Sequence, residues 1–320
     1  MNARSSVVDW LLFLALGFMW GSSYLFIKIG VATFEPFTLI ALRLGIGLTL
    51  LVAVVAVARE PLPRTIGTYG HLLFMGVFNI VVPFFLITWA EQSVESALAA
   101  ILNATVPLFA IVIAALALPD EPITLNRVVG LVIGFAGVVM VTSHGLSGSG
   151  GDLGAELALV GSAVSYAVGA VYARRNVRGL RPMIPALFQV AFAFVITGAL
   201  ALLLEDPFEM TLVTVPVAGF DLLGNPVFAV TWLGLLGSGL AYLAFFRTLQ
   251  NWGATRTSMV AYLLPIVGIT LGALVLHEAI DARVVLGTGL VLGGAALVNS
   301  NRGTRRLFGG TNPERAAGSP

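Results

Sequence analysis

Residues 36–58 read PFTLIALRLGIGLTLLVAVVAVA, an apolar run in which Arg43 is the single charged side chain. A hydrophobic helix of about 20 residues, rising 1.5 Å per residue, crosses the roughly 30 Å hydrocarbon core of a bilayer. Nine more segments meet this test, near residues 9–29, 69–90, 96–118, 124–142, 153–173, 182–204, 227–248, 255–276 and 282–300. The runs are continuous and do not alternate as barrel strands would. The sequence therefore predicts an all-α membrane protein with ten transmembrane helices.

The composition of the chain also indicates a lipid environment. Of its 320 residues 58% are hydrophobic and 10% are charged, against roughly 25% charged in a soluble domain. The chain has no cysteine, which excludes a disulfide scaffold and thiol chemistry. Its net charge is +1 and its basic residues form no long cluster, so we expect the lipid bilayer as a partner and no nucleic acid.

The basic residues predict the orientation of the chain. Positively charged connections remain in the cytoplasm. With a cytoplasmic N-terminus, 14 of the 17 Lys and Arg residues lie in inner connections or tails, whereas only Lys28 and Arg283 lie outside. We therefore expect both termini in the cytoplasm and a bacterial-type inner-membrane location.

The two halves of the chain resemble each other. At an offset of 146 Pro36 falls on Pro182, and at an offset of 158 Pro107 falls on Pro265. Each half holds five spans, and an odd number forces the second copy to insert the other way up, as in the inverted repeats of secondary transporters. We predict a first five-helix repeat over 1–144, a linker over 145–152, a second repeat over 153–301, and a polar cytoplasmic tail over 302–320 that we expect to be disordered.

This pattern resembles the drug/metabolite transporter superfamily, and within it the ten-span EamA-type permeases. The resemblance covers about residues 8–300. It rests on the Trp20-Gly21 pair, the stretch from Pro36 to Arg43, and the stretch from Pro107 to Glu121 with Gly130 and Gly137, which recurs over 265–294. The resemblance implies a central cavity surrounded by spans 1, 3, 4, 6, 8 and 9, and export of small metabolites or amino acids as a common activity.

Polar and aromatic side chains near the middle of these six spans are the candidate cavity lining, because polar groups in the membrane tend to face protein or water. They are Trp20, Tyr24, Asn79, Asn103, Tyr166, Ser238, Tyr242, Ser258 and Tyr262. The alternative is that the serines bond back to their own helices and that aromatic rings anchor helices. Pro83, Pro107 and Pro265 are candidate kinks or hinges, since proline removes a backbone hydrogen bond.

Arg43 is the only ionisable residue well inside a span. One hypothesis is that it binds the carboxylate of a substrate such as an amino acid. The other is structural, with helix-end carbonyls, Glu91 or Glu95 as partners. We favour the structural role, because an arginine here belongs to the pattern of the family that the chain resembles.

Catalytic features are missing from the sequence. It has no Gly-x-Ser-x-Gly elbow and no phosphate loop, and its three histidines lie near span ends. We expect no enzyme activity, no cofactor and no metal, and we disfavour an intramembrane enzyme or a receptor.

All 16 acids lie at span ends or in connections. No buried acid marks a proton relay, so proton coupling and facilitated diffusion both stay open.

Two GxxxG pairs, Gly130 with Gly134 and Gly289 with Gly293, predict close helix packing. They would join spans of one chain or two chains of a homodimer.

The function that the sequence as a whole favours is a secondary transporter that exports amino acids or related metabolites by alternating access. The alternative is a permease or facilitator for a drug-like molecule, a nucleoside or a sugar derivative.

Overall fold

The structure is a computed structural model, which describes residues 7–117, 123–146, 152–177, 179–181, 183–217, 221–298 and 306–308. Most of these residues are helical. The helices are α1 (Val7–Gly30), α2 (Pro36–Ala58), α3 (Ile66–Gly76), α4 (Val82–Ala90), α5 (Ser96–Asn103), α6 (Val106–Ala117), α7 (Leu125–Leu146), α8 (Leu153–Asn176), α9 (Met183–Leu204), α10 (Pro226–Trp232), α11 (Ala241–Ser258), α12 (Leu263–Val275) and α13 (Ala282–Val298).

Eight helical segments in the described part of the chain are long and apolar enough to cross a membrane. Two shorter apolar helices follow them, Met259–Val275 and Ala282–Val298. The chain is therefore a helical, multi-pass membrane protein. The helices begin where local signals place them: Pro36 and Pro226 occupy first turns, where the missing N–H group costs nothing. Asp152 caps α8 by accepting a hydrogen bond from the Ala155 N–H group.

Three of these segments are interrupted near their middle, and a fourth, Met259–Val275, is irregular at its start. Between α3 and α4 the chain forms π-helix over Val77–Val81, and between α10 and α11 over Leu233–Leu240. Residues 104–105 separate α5 from α6, and 3₁₀-helix over Met259–Tyr262 precedes α12. The interruptions occur in corresponding places in the two halves. Because π and 3₁₀ turns release backbone groups from the regular ladder, these places are suited to bind ligands or to bend.

The helices pack in pairs that follow the same correspondence. The second helix of the first half, α2, lies against the π segment Leu233–Leu240, and its counterpart α9 lies against α3 and the π segment Val77–Val81. Helices α2 and α9 also pack on each other, as do α7 and α13. The largest apolar core is formed by α1, α4, α5, α8 and α10.

Glycines bring α7 and α13 into close contact within one chain. A Cβ atom added at Gly294 would lie 2.6 Å from the carbonyl oxygen of Gly130 and 2.5 Å from the Gly134 nitrogen. Gly289 and Gly293 face open space on the other side of α13. The first GxxxG pair therefore packs inside the protein, and the homodimer stays a prediction.

Four connections meet at one end of the bundle, which we call the Glu91 end; their described residues are 31–35, 91–95, 205–217 with 221–225, and 276–281. Thr33 shares two hydrogen bonds with the backbone of Val213, and Glu205 accepts from the N–H groups of Phe37 and Thr38. The Ser93 hydroxyl donates to Asp152 at 2.8 Å. These bonds tie both halves together at this end.

Two details differ from the sequence-based expectation. The connection that we expected after residue 248 is helical, because α11 continues to Ser258. In the tail, Arg306–Phe308 forms a short antiparallel strand, β2, with β1 (Ile123–Thr124). The other tail residues, 302–305 and 309–320, and most of the linker over 145–152 lie outside the described residues.

Candidate functional site

Arg43 lies in the middle of α2 and is buried, with 4% of its surface exposed. Its Nε atom donates a hydrogen bond to the Ser238 hydroxyl at 3.2 Å, across to the π segment of the second half. Its guanidinium carbon lies 4.4 Å from the centre of the Phe84 ring, within the range of a cation–π interaction. The charge is thus held by a hydroxyl group and an aromatic face.

The carboxylate partners that the structural hypothesis named do not hold Arg43. Both carboxyl oxygens of Glu91 are buried and have no hydrogen-bond partner among the described residues, which excludes a bond to Arg43. The Glu95 side chain is exposed, whereas Arg43 is buried. Pairing of Arg43 with Glu91 is therefore wrong.

Tyr24 and Asn103 form a second polar contact in this region. The Asn103 Nδ2 atom donates to the Tyr24 hydroxyl at 2.6 Å, and Tyr24 is 4% exposed. Asn103 is the last residue of α5, directly before the interruption of the helix. Its Oδ1 atom is buried and has no partner among the described residues. An unpartnered buried acceptor costs free energy, so this oxygen is suited to receive a donor from a ligand.

Three tyrosines lie within electrostatic range of the arginine. Tyr24, Tyr166 and Tyr242 all interact electrostatically with Arg43. Trp20 extends the group: its ring lies edge-to-face with Tyr242 at 6.3 Å, and its Nε1 atom donates to the Gly237 carbonyl. The structure thus brings together seven predicted residues, which we call the Arg43 cluster: Trp20, Tyr24, Arg43, Asn103, Tyr166, Ser238 and Tyr242.

Asn79, in the π segment Val77–Val81 of the first half, makes a separate contact with the second half of the chain. Its Nδ2 atom donates to the Gln189 Oε1 atom at 3.3 Å, and Gly169, which lacks a Cβ atom, leaves space for its amide. Gln189 occupies the position that corresponds to Arg43 at an offset of 146. Each half therefore sets a polar residue of its second helix against a π segment of the other half, and only one of the two pairs is charged.

The other predicted residues lie around this centre. Tyr262 packs against Leu108 and α13, at the interruption before α12. Pro83 is the second residue of α4, which follows the π segment Val77–Val81, while Pro107 and Pro265 lie in the first turns of α6 and α12, after the interruptions in their own segments. The side chain of Ser258 lies outside the described part of the structure. The roles of these residues stay predictions.

Phe84 and Trp232 were not predicted from the sequence as contributors, whereas Ser22 and Ser165 are polar residues near the middle of predicted spans 1 and 6. The Phe84 ring beneath Arg43 has no sequence signal, because phenylalanine is common throughout the chain. The Ser165 hydroxyl donates to the Phe78 carbonyl at 2.8 Å, within the π segment. Trp232 donates to the Ser22 hydroxyl at 3.0 Å. A signal existed for Ser165, since a carbonyl that leaves the helical ladder needs a new donor.

An apolar groove of about 380 Å³ lies beside α2 and α10. None of the Arg43 cluster lines it. Its residues are Leu50, Phe228, Thr231, Trp232, Leu235, Leu236 and Leu240. The groove therefore differs in chemistry from the polar centre and is not the candidate site.

Comparison with known families defines the class of this protein. The model of the EamA-like transporter family matches residues 9–143 and again residues 153–300. The chain belongs to this family, within the drug/metabolite transporter superfamily, and is a membrane transporter. One family model thus matches both halves.

Individual relatives agree with this assignment. The chain is 31% identical over 288 residues to the uncharacterized inner membrane transporter YedA of Escherichia coli K12, covering 89% of this chain and 88% of YedA. It is 27% identical to the uncharacterized transporter YvbV of Bacillus subtilis, covering 91% of each chain. A crystal structure at 21% identity superposes with a TM-score of 0.63, covering 92% of this chain and 99% of that chain, and supports the fold.

Proposed function

We propose that this protein is a secondary transporter that exports amino acids or related small carboxylates by alternating access, with the Arg43 cluster as its substrate site. The observation that carries the proposal is the environment of Arg43. Its charge is buried between two halves of the bundle, where a hydroxyl and an aromatic ring are its neighbours. An arginine at the centre of a membrane helix costs roughly 2.5–3.5 kcal/mol on insertion scales. A bound carboxylate would compensate for that cost.

Arginine suits this task because its planar guanidinium binds a carboxylate through two parallel hydrogen bonds. The hydroxyls of Tyr24, Tyr166 and Tyr242 lie in the same electrostatic neighbourhood and offer further donors. The geometry therefore changes the balance of the two hypotheses for Arg43 in favour of substrate binding.

Asn103 supports a substrate that also carries an amino group. Its Nδ2 atom is used by Tyr24, while its buried Oδ1 atom is an acceptor without a partner among the described residues. An ammonium group provides the donor that this oxygen lacks. The rings of Trp20 and Phe84 offer apolar surface to a side chain. Together these groups fit a zwitterion of amino-acid size.

Alternating access is supported by the matched interruptions of the helices. Both halves have a π segment in the third helix and a break before a proline in the fourth helix. Interrupted helices at corresponding places indicate the site and the moving parts of a transporter. The double match of the family model supports two related halves. We further propose ten spans with both termini in the cytoplasm, an inner-membrane location as described for YedA, and export as the direction.

Counterflow into proteoliposomes tests the substrate site. Vesicles loaded with a panel of unlabelled amino acids, amines, nucleosides and sugars would be supplied with the labelled compounds. We expect amino acids to exchange. Arg43→Gln should weaken their apparent affinity about 10- to 150-fold, because a hydrogen bond to a charged group contributes about 1.5–3 kcal/mol.

The matched control is Arg43→Lys, which keeps the charge and loses the two-pronged geometry, so its effect should be intermediate. Amines without a carboxylate should be unaffected in both variants, provided that they are carried. An equal loss for amino acids and amines, with protein yield and unfolding unchanged, would contradict carboxylate binding by Arg43. Exchange of nucleosides or sugars alone would replace the proposed substrate class.

A further inference from the structure

Glu91 is a buried acid that the proposed substrate site does not use. It directly follows α4 at the Glu91 end and has 0% of its surface exposed. Both carboxyl oxygens are inaccessible and have no hydrogen-bond partner in the described part of the chain. The sequence places Glu91 in a connection, where an acid is normally solvated. The tertiary structure removes it from water completely.

The nearest cation does not neutralise this carboxyl group through a hydrogen bond. The Lys28 ammonium, at the end of α1, donates to the backbone carbonyls of Glu91 and Val94, each at 2.7 Å. Lys28 thereby caps the end of α4, and it leaves both carboxyl oxygens of Glu91 without a donor. The amino group and the carboxyl group are close without forming a pair.

Both acidic and basic groups lie on the elements that surround Glu91. Lys28 on α1 and Arg43 on α2 favour the ionised form of Glu91, whereas Glu278 after α12 opposes it. Tyr24 on α1 also lies within electrostatic range. On α8, which packs against α4, Glu156 interacts with Asp152. Acids thus outnumber the basic groups around this end.

Burial decides the protonation state. Removing an ionised carboxylate from water costs several kcal/mol unless hydrogen bonds replace the water, and among the described residues neither carboxyl oxygen of Glu91 has a hydrogen-bond partner. Burial therefore raises the pKa of Glu91 well above its usual range. The neutral form is the stable one while this end of the bundle is closed.

We propose that Glu91 is a proton-binding site of the transport cycle, which holds a proton while the Glu91 end is closed and releases it to water when that end opens. The proton leaves a carboxyl oxygen for a water molecule on the side to which this end opens, and it is taken up again from the same side before closure. This proposal rests on alternating access. It makes the closed form the more protonated one, so that low pH favours closure and rising pH favours opening.

The same structure indicates what changes on opening. Lys28 and Glu278 join α1, α5 and the connections around Glu91. Separation of these elements would admit water to Glu91 and free the Lys28 ammonium from its carbonyl partners. An ionised Glu91 would then be solvated and opposite a free cation, which favours release of the proton.

Infrared spectroscopy tests the proposal without knowledge of the substrate. The full-length protein in lipid vesicles would be titrated from acid to alkaline pH while the carbonyl band of protonated carboxyl groups is recorded in H₂O and D₂O. We expect a band that persists at neutral pH, where solvated acids are ionised. It should disappear reversibly at higher pH and be absent in Glu91→Gln.

Two variants serve as controls. Glu95→Gln removes an exposed acid from the same connection and should leave the band intact. Glu156→Gln removes the other carboxyl group that has a buried, unpartnered oxygen among the described residues, and it should leave the Glu91 component of the band. A wild-type protein without the neutral-pH band, or a band that Glu91→Gln leaves unchanged, would overturn the proposal. If Glu91→Gln does not fold, the titration of the wild-type protein decides alone. A wild-type protein that lacks the carboxyl band at neutral pH is sufficient to reject the proposal.

The experiments can reject the proposed proton site and the proposed substrate site separately. If no amino acid exchanges but the band is present and depends on Glu91, the substrate class is wrong and the proton site stands. If amino acids exchange, Glu91→Gln should retain counterflow and lose the pH dependence of its rate. A pH dependence of counterflow in Glu91→Gln equal to that of the wild-type protein would refute the role of Glu91 in the cycle.

Discussion

Glu278 supplies the N-terminal cap of a helix that is distant in the sequence. Its carboxylate oxygens accept hydrogen bonds from the backbone N–H groups of Ser96 and Ala97, at 2.7 and 2.9 Å. Glu95, directly before α5, provides no side-chain cap. The first N–H groups of a helix lack partners in the helix itself, so this carboxylate is their acceptor. We predict that Glu278→Gln destabilises the protein at the Glu91 end.

The magnitude follows from the lost interactions. A hydrogen bond to a charged group contributes about 1.5–3 kcal/mol, and a negative charge at a helix N-terminus contributes about 0.3–1 kcal/mol. The amide of glutamine has a single acceptor oxygen, so the variant keeps at most one of the two bonds and loses the charge. We expect a loss of about 2–4 kcal/mol in the free energy of unfolding.

Reversible unfolding in mixed micelles, followed by tryptophan fluorescence, measures this loss. Glu205→Gln should show a similar loss, because Glu205 caps α2 through the N–H groups of Phe37 and Thr38. Glu35→Gln is the matched control: Glu35 is exposed at the start of α2 and gives no side-chain cap, so its effect should stay within about 0.5 kcal/mol. A loss for Glu278→Gln no greater than that for Glu35→Gln would refute the capping argument.

Two further predictions concern packing and pH. Gly294→Ala should lower the free energy of unfolding by about 1–3 kcal/mol, because the added Cβ atom meets the backbone of α7. Gly293→Ala should leave it nearly unchanged, because Gly293 faces open space. Unfolding curves of the two variants, measured in parallel, compare them. At the start of α8, hydrogen bonds from Ser93 and from the Ala155 N–H group lower the pKa of Asp152. Because the folded protein favours the ionised form, this stabilisation should be present at neutral pH and be lost as the pH falls through the lowered pKa, and Asp152→Asn should remove that dependence.

Much of the fold could be predicted from the sequence. The predicted span over 36–58 coincides with α2, and the predicted span over 182–204 begins one residue before α9. Hydrophobic length and the prolines at helix starts are local properties, so one sequence is sufficient to locate them. Helix α11 continues through a polar stretch beyond residue 248, where the sequence predicts the end of the eighth span. Polarity was interpreted there as a connection, although helical hydrogen bonds do not require apolar side chains.

The sequence predicted which residues belong to the candidate site, but not which of them contact one another. Seven predicted residues form the Arg43 cluster, whereas Asn79 pairs with Gln189 and Tyr262 packs against Leu108. Sequence spacing shows which residues share a face of one helix. It does not show which faces of two helices meet, because that depends on rotation, tilt and the width of the π turns. The Phe84 ring beneath Arg43 follows from such a contact.

The sequence by itself determined that the chain lies in a membrane and where its apolar segments and their prolines lie, since these features depend on neighbouring residues and on the cost of polar groups in hydrocarbon. The tertiary structure decided which charges are solvated. Glu91 and Glu278 both lie in connections, yet the carboxyl group of Glu91 is buried with no hydrogen-bond partner among the described residues, and that of Glu278 caps α5. Solvation depends on the elements that pack around a group. For Glu278 these include a helix more than half the chain away.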